Sequence, residues 1–315
     1  MTEDRYGFCV NTLTMCPSFT AVYNSVMGTQ KGFNNPCEGF GIRKPTNGVA
    51  ISDFLVSMGV RTTAFGFLGG ILGNYLKDFL KERGIGCGFL ESSSPTLIKT
   101  AVSEGGSLTV FEPAENRIIQ VSELFALTKA MRESEPCPEY FVLSGSYPRD
   151  LEMGTYCDLI KMLHGIGIKV VTDFSGPDMR LSFREKPFLT VMGPQELYEY
   201  TFQRAESFVE ALVMVKNITK ETGAAVLCHF GTRGAIYSSP DCLCTCAVKR
   251  NKNESVYCRP SFIAAFIKAY EFSGNNIPYA MQYAAAYSAA VNETGDIPDT
   301  DAVKKNFNNV DFRTY

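Results

Sequence analysis

The segment "EYFVLSGSYPRDLEMGTYCDLIKMLHGIGIKVVTDFSG", residues 139–176, holds two short apolar runs on either side of a longer amphipathic stretch. "EYFVLSGS" and "IKVVTDFSG" are rich in β-branched and aromatic residues and end in Gly and Ser, which reads as strands. "EMGTYCDLIKMLHGIG" between them has a helical pattern. A strand, a helix and a strand in this order predict two parallel strands joined by a crossover helix. The same alternation extends in both directions. Upstream, the strand-like "VRTTAFGFLGG" precedes the helical "NYLKDFLKERGI". Downstream, "FLTVMG" precedes "AESFVEALVMVKNITKETG", and "AAVLCHFGTRGAIYSS" precedes two helices, the second being "YAMQYAAAYSAAVNETG". The expected architecture is a doubly wound α/β body. A small β element comes from the turn-rich region Met15 to Thr46 and from the hairpin "LIKTAVSEGGSLTVFEP", with Gly105-Gly106 at its turn. Ligands in such sheets bind beyond the C-terminal ends of strands, so the loops after "VLSGS", "VVTDFSG" and "VLCHFG" are where a site is expected.

Composition narrows the function. The chain has 315 residues, 45% of them hydrophobic, enough for a large core without disulfide staples. A formal charge of -3 argues against a nucleic-acid surface, which needs clustered Lys and Arg. No run of about 18 apolar residues suggests a membrane span, and the acidic start "MTEDRYGFCV" is unlike a signal peptide, so a cytoplasmic protein is expected. Eleven scattered cysteines then read as reduced thiols. In "DCLCTC", Cys242, Cys244 and Cys246 alternate and would share one face of a strand. With only two histidines, His164 and His229, this is read as packing rather than a metal site.

Five stretches in order and spacing carry a family likeness: "VRTTAFGFLGGILGNYLKDFLKERGI" (60–85), "VLSGSYP" (142–148), "VVTDFSG" (170–176), "CHFGTRGAIY" (228–237) and "MQYAAAYSAAV" (281–291). On these the chain resembles, nearly end to end, the ribokinase-like or phosphofructokinase B carbohydrate kinases, and within them the 1-phosphofructokinase and tagatose-6-phosphate kinase branch. The resemblance implies a single domain over 1–315. It would be a three-layer α/β/α sandwich with a mainly parallel sheet and a small β-sheet lid from about 12–46 and 88–120. It implies ATP and Mg2+ as cofactors, a sugar or sugar phosphate as substrate, and a homodimer paired through the lid.

The site motifs depart from the family pattern. Phosphoryl transfer needs charge stabilisation and a base for the hydroxyl proton, and the family's G-A-G-D segment supplies backbone donors and an Asp. "VYCRPSFIAAFIKAY" places Tyr257, Cys258, Arg259 and Pro260 at those four positions. Proline accepts no proton and offers no N–H, so no catalytic residue is assigned and Pro260 occupies the expected base position. Glu254 sits six residues too early. The G-G-K-G-x-N sugar motif aligns with "PTNGVA", where Asn47 and Gly48 are sugar-pocket positions and Ala50 replaces Asn; Thr20 stands where an early Asp would hold sugar hydroxyls. "MGPQELYE" keeps Pro194, has Gln195 for Asn and offers Glu196 or Glu199 as the acid that the family places beside metal and phosphates. Gly231, Thr232, Gly234 and Ala286 are the remaining nucleotide-side candidates. Arg259 and Ser261 at the helix mouth are anion candidates, with a solvated Arg259 as the plain alternative. The expected function is a sugar-kinase relative that is catalytically impaired or inactive and retains nucleotide or sugar-phosphate binding. The alternatives are an active carbohydrate kinase with a non-standard site, in which Asp173 serves as base through water, and a structural, dimeric interaction protein.

Overall fold

The computed structural model describes residues 7–25, 28–104, 107–111, 119–148, 151–248 and 255–315. The Gly105-Gly106 turn and Glu254 lie outside them. In chain order the first half runs β1 (Val10–Thr14), β2 (Ser18–Ser25), β3 (Cys37–Arg43), α1 (Gly48–Ser57), β4 (Thr63–Leu68), α2 (Gly70–Arg83), β5 (Gly86–Glu91), β6 (Leu97–Glu104), β7 (Ser107–Phe111), α3 (Val121–Arg132) and β8 (Tyr140–Gly145). The second half runs α4 (Thr155–Gly165), β9 (Lys169–Phe174), α5 (Pro177–Ser182), β10 (Leu189–Met192), α6 (Pro194–Thr201), α7 (Phe208–Thr222), β11 (Val226–His229), β12 (Ala235–Ser238), β13 (Leu243–Val248), α8 (Cys258–Phe272), α9 (Ile277–Thr294), α10 (Thr300–Phe307) and β14 (Val310–Thr314).

Ten strands form one sheet in the order β14-β13-β12-β11-β10-β9-β8-β1-β4-β5, parallel from β11 to β5 and antiparallel from β11 to β14. The expected mainly parallel α/β body with a small second sheet is what forms. Both faces of the parallel strands are buried, and successive residues divide between two cores. On β8, Tyr140 and Val142 join α1, α8 and α9 on one side, while Phe141 and Leu143 join α4 and α7 on the other. This is why the strand sequences read as unbroken apolar runs rather than as alternation. Cys244 and Cys246 of β13 sit in the first core, with Cys242 packed against it, and burial pushes Cys246 up to about 12.

The second sheet has the order β3-β2-β6-β7. Its strands lie within 18–43 and 97–111, a narrower region than the expected lid of about 12–46 and 88–120. The difference has a simple cause: β1 and β5 pair in parallel with β4 and so belong to the body sheet. Register aligns Ile42, Ala21, Thr100 and Phe111 across the four lid strands, with Phe40, Tyr23 and Val102 in a neighbouring row of the same face. Arg43, Thr20 and Lys99 form a row on the opposite face. Phe19 and Ile98 tie the lid to a third cluster with Leu76 and Leu80 of α2.

Candidate active site

The body strands place Asp173 at the end of β9, Val191 and Met192 at the end of β10 and His229 at the end of β11, where the N-termini of α6 and α8 meet them. α8 begins at Cys258, so Pro260 lies in its first turn, where the missing N–H breaks no helical bond. Two backbone donors of this first turn are engaged within the chain. Cys258 N–H donates to Ser255 O at 3.0 Å, and Ser261 N–H donates to Tyr257 O at 3.0 Å. The fully buried Ser261 turns its hydroxyl back onto Cys258 O at 2.9 Å, so neither of its donors points outward to an anion. Tyr257 packs its ring edge against Phe54, with centroids 6.4 Å apart, and its hydroxyl donates to Lys44 O at 3.3 Å.

Arg259 lies inside the site rather than in solvent. Its Nη2 stands 2.6 Å from Asp173 Oδ1, and its Nη1 donates to Glu196 Oε2 at 3.0 Å. Nη2 also donates to the carbonyl of Val191 at 3.3 Å. Ser144, paired with Asp173 across β8 and β9, donates its hydroxyl to Asp173 Oδ2 at 2.7 Å. Glu196 also accepts the Gly193 N–H at 2.7 Å at the start of α6. Burial raises the Asp173 carboxyl above its ordinary range, against the pull of Arg259 and Ser144. Burial works in the same direction on Glu196, but Arg259 and the Gly193 N–H outweigh it and hold that carboxyl below its ordinary range. The candidates Arg259 and Glu196, and the substitute base Asp173, are thus partners of one another.

Of the residues expected on a nucleotide side, Gly231 at φ 62° and Gly234 at φ 105° bound a single 3-10 turn carrying Thr232. A Cβ on Gly234 would collide with the carbonyl oxygen of Cys246, so this glycine is required by close approach as well as by φ. Ala286 is fully buried in the core behind α9. The cleft beside the turn is lined instead by Ala285, Ser288, Ala289 and Asn292, about one helical step away. That cleft holds only about 20 Å³, room for a water molecule. His229 borders it, with Nδ1 accepting the Gly231 N–H at 3.3 Å, so the neutral ring carries its proton on Nε2, 3.8 Å from Cys258 Sγ. Asn292 donates to the same sulfur at 3.2 Å.

Burial, with Arg259 adding to it, pushes His229 down to about 3. Its folded value lies below the unfolded one of about 6.5, so the unfolded chain binds the extra proton. The neutral ring's contribution is therefore complete above pH about 6.5 and is lost as pH falls toward 3. Urea titrations of the wild type should show stability falling across this window. His229→Gln should flatten the slope, and an unchanged slope would contradict the buried neutral ring.

Of the residues expected in a sugar pocket, Gly48 opens α1 against β1. Its N–H donates to Thr14 Oγ1 at 2.9 Å, and a Cβ there would sit 2.7 Å from the same oxygen. Asn47 is the N-cap residue, but its side chain makes no capping bond. Thr20 is half-buried in the lid, between Arg43 and Lys99. Lys44 ion-pairs with the fully buried Asp53 and lies 3.6 Å from Asp296, with its ammonium 5.4–5.9 Å from the rings of Phe54, Phe79 and Tyr257. Asp53 also takes Arg83 Nε at 2.5 Å. Sequence reasoning missed this cluster, although an acid within the apolar "VAISDFLV" signals a buried partner. His229, one of two histidines and placed at a strand end, was the other available signal. A roomier cavity of about 1080 Å³ lies between the end of α1, α9 and α10, lined by Tyr279, Tyr283 and Phe307 and by none of the candidate residues.

No protein-family model matches the sequence. Over 260 residues the chain is 26% identical to 1-phosphofructokinase from Borreliella burgdorferi, covering 82% of this chain and 83% of that protein. Over 241 residues it is 24% identical to D-tagatose-1-phosphate kinase from Bacillus licheniformis, covering 76% and 78%. Among solved structures, phosphofructokinase-2 from Escherichia coli in complex with fructose-6-phosphate superposes with a TM-score of 0.83 at 17% identity, over 96% of this chain and 98% of that one. The tetrameric inhibited form of the same enzyme gives 0.83 at 18%, again over 96% and 98%. In sequence, along about four-fifths of its length, the chain is similar to 1-phosphofructokinase and D-tagatose-1-phosphate kinase, and in fold, along nearly all of it, to phosphofructokinase-2.

Proposed function

We propose that the protein is a catalytically silent relative of the sugar-phosphate kinases, acting through binding and assembly rather than turnover. The observation that carries this reading is the first turn of α8, which offers a transferring phosphoryl group no base and few backbone donors. Pro260 stands at the base position, Cys258 N–H is bonded to Ser255, and Ser261 is bonded to Tyr257 and Cys258. ATP and Mg2+ fit the remaining residues poorly. Magnesium is held by one or two carboxylates together with substrate phosphates, and here both carboxylates already face Arg259. A sugar phosphate meets more favourable chemistry, because Arg43 and Lys99 flank Thr20 on one lid face.

The active-kinase alternative is favoured by the names of the sequence relatives. It requires Asp173 to be freed from Arg259 and Ser144 to act as base. Steady-state assays with ATP, Mg2+ and fructose 1-phosphate, fructose 6-phosphate or tagatose 6-phosphate decide between the readings. No turnover above background supports silence, and a rate within about tenfold of an ordinary kinase, on the order of 1–100 per second, overturns it.

Assembly through the lid belongs to the same proposal. Phe40, Ile42 and Phe111 are 61%, 53% and 60% exposed on one face of the lid, an apolar surface suited to a second copy of this chain. Sedimentation should give a dimer that the paired change Phe40→Asp and Ile42→Asp converts to a monomer. A monomeric wild type, or a dimer that survives both changes, counts against it. No helix among the described residues is long and apolar enough to cross a membrane, and none of the eleven cysteines is in a disulfide.

A further inference from the structure

We infer that Asp173, Glu196 and the Val191 carbonyl form an oxygen-ligand set for a hard divalent cation, and that the guanidinium of Arg259 is the resident cation that excludes one. The inference deepens the proposed silence of the site and rests on it. Three oxygens from three segments converge on one positive group: Asp173 Oδ1 at 2.6 Å, Glu196 Oε2 at 3.0 Å and Val191 O at 3.3 Å. Carboxylates with a carbonyl are the ligands that suit magnesium, manganese or calcium.

Arg259 hydrogen-bonds two of these oxygens, on Glu196 and Val191, and meets the third, on Asp173, by charge alone. A guanidinium usually meets carboxylates through paired, aligned N–H groups. Here Asp173 Oδ1 lies within ion-pair distance yet receives no aligned hydrogen bond, and among the described residues the buried Nε of Arg259 has no partner. The planar fork leaves Arg259 Nε and Asp173 Oδ1 unmatched, whereas a metal ion has no fixed donor directions to match. The carboxylates are themselves held in place from behind. Ser144 fixes Asp173 at 2.7 Å, and Gly193 N–H fixes Glu196 at 2.7 Å, so the oxygen set does not depend on Arg259 for its position.

The test uses Mn2+ as probe, read by loss of its free electron paramagnetic resonance signal and by a calcium- or magnesium-dependent rise in unfolding temperature. Wild type should show no saturable binding at this site. Arg259→Ala should bind Mn2+ saturably, with at least about tenfold more signal loss than wild type at the same Mn2+ concentration, and adding Glu196→Gln should abolish that gain. If Arg259→Ala folds only when divalent cation is present, the inference also stands. Overturning results are an Arg259→Ala chain, folded or unfolded, that gains nothing from cations, or a wild type that binds Mn2+ and loses it with Asp173→Asn or Glu196→Gln. The kinase assays above read a different quantity. Turnover by the wild type would defeat the proposed silence, while Mn2+ binding alone decides the role of Arg259.

Discussion

Arg259→Ala should destabilise the cation-free chain by about 3–5 kcal/mol at neutral pH, the cost expected when one partner of a buried ion cluster is removed. The mechanism is desolvation without compensation: Asp173 and Glu196 are 7% and 13% exposed and keep their charges close to each other once the guanidinium is gone. The deficit should shrink in acid. Glu196 has a depressed folded value in the wild type, so its contribution is present above the unfolded value of about 4.3 and is lost as pH falls through the folded one. Asp173 has a raised folded value, so it penalises folding above the unfolded value of about 3.9, and protonation relieves the penalty as pH falls through the folded value. Urea unfolding at pH 7 and pH 4 measures both effects. A loss under about 1 kcal/mol at pH 7 would show that water, not Arg259, carries the carboxylate charges. Replacing the three residues together, Arg259→Met with Asp173→Asn and Glu196→Gln, should restore most of the loss, because the buried charges then disappear in step.

The second large effect concerns catalysis. Loss of a general base alone lowers rate by about 10² to 10⁴, and in the proposed reading Pro260 stands at the base position while the Cys258 and Ser261 N–H groups are bonded within the chain. Restoring the motif with Tyr257→Gly, Arg259→Gly and Pro260→Asp should therefore still give no measurable transfer from ATP to a hexose phosphate. Lys44 remains paired with Asp53, Asn47 and Ala50 remain in the sugar motif, and the cleft beside Gly234 remains about 20 Å³. Coupled assays of the triple variant measure this. Appreciable turnover would show that the rest of the pocket is intact and only the base was lost.

The body was legible because its strands are buried on both sides: Tyr140–Leu143 and Val170–Val171 read as apolar runs for the reason that one core lies on each face. β1 was less legible because Asn11, Thr12 and Thr14 are polar, yet all three are buried. Asn11 Oδ1 accepts the Thr63 N–H at 2.9 Å, and Thr12 meets Ser52 at 2.9 Å, so the polarity serves neighbouring segments rather than solvent. The alanine face of α9 could not be resolved from composition, since Ala285 and Ala286 differ only by one helical step and only one of them borders the cleft. The fate of Arg259 was hidden for a similar reason. Local sequence offered an anion or water as its partner, whereas the true partners lie on β9 and α6, brought near only by the fold of the sheet.

The central claim is that the phosphoryl-transfer centre is closed by the chain's own residues. A single-turnover experiment tests it most directly, with wild-type protein in excess over γ-phosphate-labelled ATP, Mg2+ present and fructose 1-phosphate, fructose 6-phosphate or tagatose 6-phosphate saturating. The expected result is that the label stays in ATP over hours at every sugar tried. Transfer of the label to any of these sugars at a rate set by the protein concentration would contradict it.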